Sequence, residues 1–155
     1  MRPTAIFGIV FMLIALAFAG VPARAGPQFG AIEIRLVAEQ PGTGPVLAVE
    51  GGDRMVEVEP DTLLGPGDFV SVGKVEWTEG KPGFDVALSE AGAGKYERIS
   101  TENVGRTLAI IVDGKILMTP KILDPVRAKG FLLTVNDEAE AAALAAGIER
   151  ALAAD

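Results

Sequence analysis

Histidine and cysteine are both absent from this 155-residue sequence, and tryptophan and tyrosine occur once each. Without histidine the usual general base is missing, and with it the Ser-His-Asp arrangement. Without cysteine there is no thiolate nucleophile, no disulfide, no thiol to carry a lipid, and few of the ligand sets that hold zinc. Carboxylate chemistry, a Ser-Lys pair and an all-oxygen metal site survive these exclusions. Long apolar runs are scarce too. One stretch, Ala5 to Ala19, stands alone, and it is shorter than the roughly 20 residues a membrane-spanning helix needs.

That stretch follows Arg2 and leads to Ala23-Arg24-Ala25, an A-x-A site, with Val21-Pro22 breaking the helix before it. The layout is that of a secretory signal peptide over residues 1–25, cleaved between Ala25 and Gly26; an uncleaved anchor is the competing reading. Cleavage would leave 130 of the 155 residues, the size of one domain. It would take 14 basic residues to 12, by loss of Arg2 and Arg24, against 21 acidic ones, a net charge of −9. Such a surface repels nucleic acid and anionic lipid and keeps an exported domain soluble. The expectation is a periplasmic protein with no membrane span after cleavage and no nucleic-acid partner.

Residues 26–83 read as a β-rich segment. Gly26 to Gly30 is a short Gly/Pro lead. Ile32 to Ala38 alternates, with Ile32, Ile34 and Leu36 on one side, the mark of a half-buried strand. Gln40 to Pro45 is a loop. Val46–Val49 and Met55–Val58 flank Gly51-Gly52-Asp53 and predict a weak hairpin. Pro60 to Asp68 is a surface turn anchored by Leu63-Leu64. Phe69 to Trp77 alternates again and predicts one strand interrupted by Gly73.

Residues 84–155 read as an α+β domain. Phe84, Val86 and Leu88 mark the core face of a strand, and Ser89 is placed to cap a helix over Glu90–Asn103. Tyr96, Ile99 and Asn103 share a face of that helix. Gly92 and Gly94 cost about 1 kcal/mol each against alanine, which predicts a loose first turn. Gly105 is a stop signal. Leu108–Val112 is apolar on both faces and predicts a central strand. Asp113-Gly114 suits a type I′ turn, because both positions need positive φ. Lys115–Met118 returns, and Pro120, which has no N–H, should end the pairing or lie at an edge. Phe131–Val135 is the last strand. Asp137 with Glu140 resembles a capping box, and Ala141, Leu144, Ala145, Ile148 and Leu152 stripe the final helix. The predicted fold is α+β: a mostly antiparallel sheet with two helices on one face.

The pieces Ser89-Glu90-Ala91-Gly92, Tyr96, Thr101-Glu-Asn-Val-Gly105, Leu108-Ala109-Ile110, Val112-Asp113-Gly114-Lys115, Thr119-Pro120-Lys121-Ile122 and Glu138-Ala139 stand in one order. In that order Phe84 to Leu152 resembles the head part of the first periplasmic domain of SecD, the accessory subunit of the bacterial protein-export machine. Upstream, Ile34 to Val37 and Val58 to Asp68 are similar to the segments leading into that head. The resemblance implies a ferredoxin-like head preceded by a short β-rich segment, a periplasmic address, and contact with emerging polypeptide or an envelope protein. Two departures stand out. SecD continues into six membrane-spanning helices, for which this sequence has no second apolar run. Phe131 to Asn136 also lacks the family's Gly-rich Ile-Ser-Gly turn.

The candidate chemistry is thin. Asp137, Glu138 and Glu140 do not have calcium-loop spacing and suit a helix start. Ser89 or Ser100 with Lys95 lacks the Ser-x-x-Lys motif. Neither a catalytic residue, a metal site nor a cofactor is assigned. A binding surface remains: Met118, Thr119, Pro120 and Ile122, where pairing must end, with Phe131 on the next strand; the competing reading places Met118 and Phe131 in the core. The expected function is a non-enzymatic binding module that contacts an envelope partner protein or a polypeptide, the latter by strand addition. A carboxylate-based hydrolase and a structural subunit of an envelope assembly are the alternatives.

Overall fold

A computed structural model describes residues 31–154. The expected signal peptide and its cleavage point at Ala25 and Gly26 lie outside the described residues.

Three strands form the first sheet, in the order β1 (Ile32–Leu36), β7 (Leu108–Val112), β8 (Lys115–Met118), all antiparallel. Register sets Ile32 opposite Val112, Ile34 opposite Ile110 and Leu36 opposite Leu108. These six side chains therefore share one face, and all enter the main core. Every residue of β7 is buried. Its other face, Ala109 and Ile111, joins Val58 and Ile116 in a second small core. That core is roofed by a hairpin of β2 (Val46–Ala48) and β3 (Met55–Glu57), through Leu47, Val49 and Val56. The two-faced burial of β7 is why its sequence shows no alternation. Asp113 and Gly114 take φ of 53° and 77°, as a type I′ turn requires.

The second sheet is built on β6 (Lys81–Leu88). β9 (Gly130–Thr134) pairs with β6 from Gly83 to Ala87. The strand expected over Phe69–Trp77 is two, β4 (Phe69–Val72) and β5 (Glu76–Thr78), each paired with a different part of β6. The break falls at Gly73, whose N–H still donates to the Asp85 carbonyl at 2.7 Å. Residues 81–88 are a single strand, so the position between 83 and 84 lies within one element. Pro82 lies opposite the end of β9, where its carbonyl accepts from Val135 N–H at 3.0 Å and the β6–β9 ladder stops.

The fold class is α+β. The strands pair as two sheets and a hairpin, where the sequence reading drew one sheet. The helix α1 (Glu90–Glu102) links β6 in one sheet to β7 in the other, and α2 (Glu138–Ala153) closes the fold. Ser89 Oγ accepts from Gly92 N–H at the start of α1, and Asp137 accepts from Ala139 and Glu140 N–H at the start of α2. Tyr96 and Ile99 from α1 and Ala141, Ala145 and Ile148 from α2 meet Phe84, Val86, Leu88 and Leu133 in the main core.

One local expectation needs correction, and another resolves between its two alternatives. The start of α1 is not loose: Gly92 is buried, and a Cβ there would lie 2.3 Å from the Asp68 carbonyl oxygen. The glycine permits a close approach between α1 and a short 3-10 turn, Pro66–Asp68. At Pro120 the edge alternative holds and the end of pairing does not. Strand β8 ends at Met118, but the Pro120 carbonyl accepts from Leu108 N–H at 2.9 Å and Ile122 N–H donates to the Arg106 carbonyl at 2.8 Å.

Candidate functional site

Met118, Thr119 and Pro120 are half-buried and line one open cleft of about 330 Å³. They are joined by Leu117 on β8, by Lys81 at the start of β6, by Thr134 at the end of β9 and Val135 and Asn136 after it, and by Glu50 and Glu140. A second cleft of about 360 Å³ continues between β8 and α2, lined by Val112, Leu144 and Arg150. The two share Glu50, Leu117 and Glu140, so they run together along β8. The result is a groove with an aliphatic floor and charges of both signs along its rim.

The remaining two expected binding residues are elsewhere. Ile122 is 5 % exposed and belongs to the main core. Phe131 sits opposite Val86, whose side chain is on the inner face, so register turns Phe131 inward as well. Its ring meets Tyr96 edge-on at 4.6 Å between centroids and Phe69 at 6.4 Å. Phe131 thus fastens α1 to β9, a packing role. The same burial raises the Tyr96 hydroxyl above its ordinary pKa.

The hairpin β2–β3 forms the other wall. Glu50 N–H donates to the Ile116 carbonyl at 2.8 Å, and Glu50 pairs with Lys115 at 3.2 Å. Arg54, in the hairpin turn, donates to Thr119 Oγ1 at 3.2 Å. Val49 bridges Ile116 in parallel. Sequence reasoning missed Glu50, Lys81, Leu117 and Glu140, because they converge from separate elements and no spacing links them. Leu117 alone carried a local signal, through its alternation with buried Ile116.

The other constellations do not assemble into reactive groups. Ser89 Oγ is held by Gly92 N–H, and Lys95 Nζ binds Asp68 Oδ1 at 2.7 Å. Asp137 is spent on its helix cap. Asp113-Gly114-Lys115 is the β7–β8 turn. Among the described residues no group of three or more Asp, Glu, His or Cys is arranged to hold a metal ion. No helix among them is long and apolar enough to cross a membrane.

Comparison with known proteins places these features in a family. Residues 46–154 match the family model "SecDF, P1 head subdomain". The chain is similar to the protein translocase subunit SecD of Acidaminococcus fermentans, 28% identical over 114 residues, which are 70% of this chain and 27% of that protein. It is also similar to SecD of Dictyoglomus turgidum, 29% identical over 119 residues, 71% of this chain and 30% of that protein. The chain thus spans under a third of the length of these relatives. Among solved structures, a SecDF crystal structure in the "Super-membrane-facing form" aligns with TM-score 0.65 at 20% identity, over 80% of this chain and 19% of that one. A structure of "a membrane component SecDF that enhances protein export" aligns with TM-score 0.64 at 20% identity, over 79% of this chain and 63% of that one. At that identity the likeness concerns the fold.

Proposed function

The chain belongs to the SecDF P1 head family, and from that premise we propose that it is a non-enzymatic periplasmic module that binds extended polypeptide in the service of protein export. The observation that supports this reading is the groove along β8. β8 is an edge strand of its sheet, and the only backbone contact described on its outer side is at Ile116. Beyond that point Leu117, Met118, Thr119 and Pro120 border open space. An extended chain laid there would pair its main chain with the edge and set alternate side chains against Leu117 and Met118. Methionine suits such a task, since its flexible thioether adapts to different occupants. Affinity is expected to be weak, because the ligand loses conformational entropy on being ordered.

The test is a fluorescence-anisotropy titration of the purified protein against a labelled, reduced, unfolded secretory polypeptide. Saturable binding is expected, and Met118→Asp should weaken it by about tenfold or more, equivalent to about 1.4 kcal/mol, with an unchanged circular dichroism spectrum. Equal binding by Met118→Asp, or none by the unmodified protein, would remove the groove from the account.

A further inference from the structure

The loop between β1 and β2 is built around a carboxylate that belongs to the chain itself. Glu57 Oε2 accepts from Gly42 N–H at 3.0 Å, and Glu57 Oε1 accepts from Gly44 N–H at 2.9 Å and from Thr43 N–H. Thr43 Oγ1 adds a longer contact at 3.5 Å. Successive N–H groups converging on one anion form a cradle of the kind that elsewhere holds phosphates and carboxylates. Two glycines make it possible. Gly42 has φ of 81°, and a Cβ on Gly44 would lie 1.9 Å from the Val58 carbonyl oxygen. The loop is therefore pressed onto the strand that carries Glu57, with Val58 N–H donating to the Pro45 carbonyl at 3.0 Å.

We propose that Glu57 is a carboxylate latch: while ionised it pins the β1–β2 loop to β3, and its protonation or loss frees that loop from the strand. The hairpin itself is held on β7 by Leu47, Val49 and Val56 packed over Ala109 and Ile111, and β3 is tied to β1 by Ala38 N–H donating to the Glu57 carbonyl at 2.9 Å and Glu59 N–H donating to the Leu36 carbonyl at 2.8 Å, so the carboxylate governs the loop alone. The hairpin strands are three residues each, and Val46 and Met55 lie more than half exposed on its outer side. At its far end the ties are the Glu50 N–H bond to Ile116, the Glu50–Lys115 ion pair and the Arg54–Thr119 bond. The latch and the β8 groove are thus at opposite ends of one strap. The latch is a property of the fold and holds whether or not the groove takes polypeptide.

The sign of the pH effect follows from the acceptor role. The N–H donors of Gly44, Gly42 and Thr43 favour the ionised carboxylate and hold Glu57 below its ordinary pKa. A depressed carboxyl contributes stability above its unfolded-state value and loses it as pH falls through the folded value. The latch therefore stays shut at neutral pH and opens as pH falls through a value below that of an ordinary glutamate. Other charges nearby are Glu39 on the same loop, Glu59 after β3, and Arg106 before β7, which pairs with both of those glutamates. Arg35 on β1 donates to the carbonyls of Glu59 and Pro60.

The experiment is an NMR pH titration of the full protein, following the Glu57 side-chain carboxyl carbon and the backbone amides of Gly42, Thr43 and Gly44. All four signals should move together, with one midpoint below the ordinary glutamate value of about 4.3. Glu57→Gln should abolish the shared titration, whereas Glu59→Gln should leave it in place. At neutral pH Glu57→Gln should also speed hydrogen exchange of the Val58 amide, which donates to the Pro45 carbonyl on the loop, by about tenfold or more. Amides that ignore the Glu57 carboxyl, or a Glu57 midpoint at or above the ordinary value, would overturn the latch. The wild-type titration decides the question even if Glu57→Gln fails to fold.

Discussion

Gly92→Ala and Gly94→Ala, two residues apart on one helix, are expected to change stability in opposite directions. Alanine is favoured over glycine inside a helix by about 1 kcal/mol. Gly94 is exposed and a Cβ there meets nothing within 4 Å, so Gly94→Ala should realise most of that gain. At Gly92 the new Cβ would stand 2.3 Å from the Asp68 carbonyl oxygen and 3.0 Å from Asp68 Cβ, where ordinary contact begins near 3.4 Å. The helix and the Pro66–Asp68 turn must then part by about 1 Å, because neither atom belongs to a flexible side-chain end. That same carbonyl accepts from Ser89 N–H at 2.8 Å, and the Asp68 side chain binds Gly65 N–H at 3.0 Å and Lys95 at 2.7 Å. Overpacking costs about 1–3 kcal/mol, and each stretched hydrogen bond about 1 more, so the clash outweighs the propensity gain. The net expectation for Gly92→Ala is a loss of about 1–3 kcal/mol. Urea titration reads both variants as midpoint shifts at constant slope. A Gly92→Ala protein as stable as Gly94→Ala would refute the close approach of α1 to Asp68.

Ile110→Ala removes a side chain 2 % exposed at the centre of the first sheet and should cost about 2–5 kcal/mol in a denaturant titration; a loss under about 1 kcal/mol would make β7 peripheral. Gly114→Val should destabilise by about 1–2 kcal/mol through backbone strain alone, since φ is 77° and nothing lies within 4 Å of the new Cβ; an unchanged urea midpoint would exclude the type I′ turn. Tyr96, the only tyrosine, should titrate above the ordinary value of about 10 in ultraviolet absorbance. Its neutral form contributes stability that is fully present below that value and is lost as pH rises through the raised one. A midpoint at or below the free-tyrosine value would contradict the burial of its hydroxyl.

The features legible in the sequence are those encoded by neighbours along the chain. β1 announced itself by alternation, β7 by its unbroken apolar run, and the turn between β7 and β8 by Asp113-Gly114. The caps Ser89 and Asp137 were equally local. What escaped depends on distant segments. Gly92 reads as a defect until Asp68 is set against it, and no rule of spacing connects positions 68 and 92. The start of β6 was hidden by Pro82-Gly83, whose tolerance depends on where β9 and β5 pair. That Met118, Thr119 and Pro120 lie along an open cleft was legible because an interrupted edge is a local signal. Ile122 was grouped with them, yet packing turns it inward, and Phe131 takes the core placement that competed with the surface one. The opposite wall, Glu50 and Arg54, was invisible because a hairpin folds back across β8 from more than sixty residues away.

The most direct test of the account is NMR mapping of the protein with an unfolded secretory polypeptide held reduced. Shifts are expected to gather at Leu117, Met118 and Thr119 and on the groove walls at Glu50, Lys81 and Glu140, with Phe131 and Ile122 little changed. Shifts confined to another face, or none at high ligand concentration, would contradict a polypeptide-binding groove on β8.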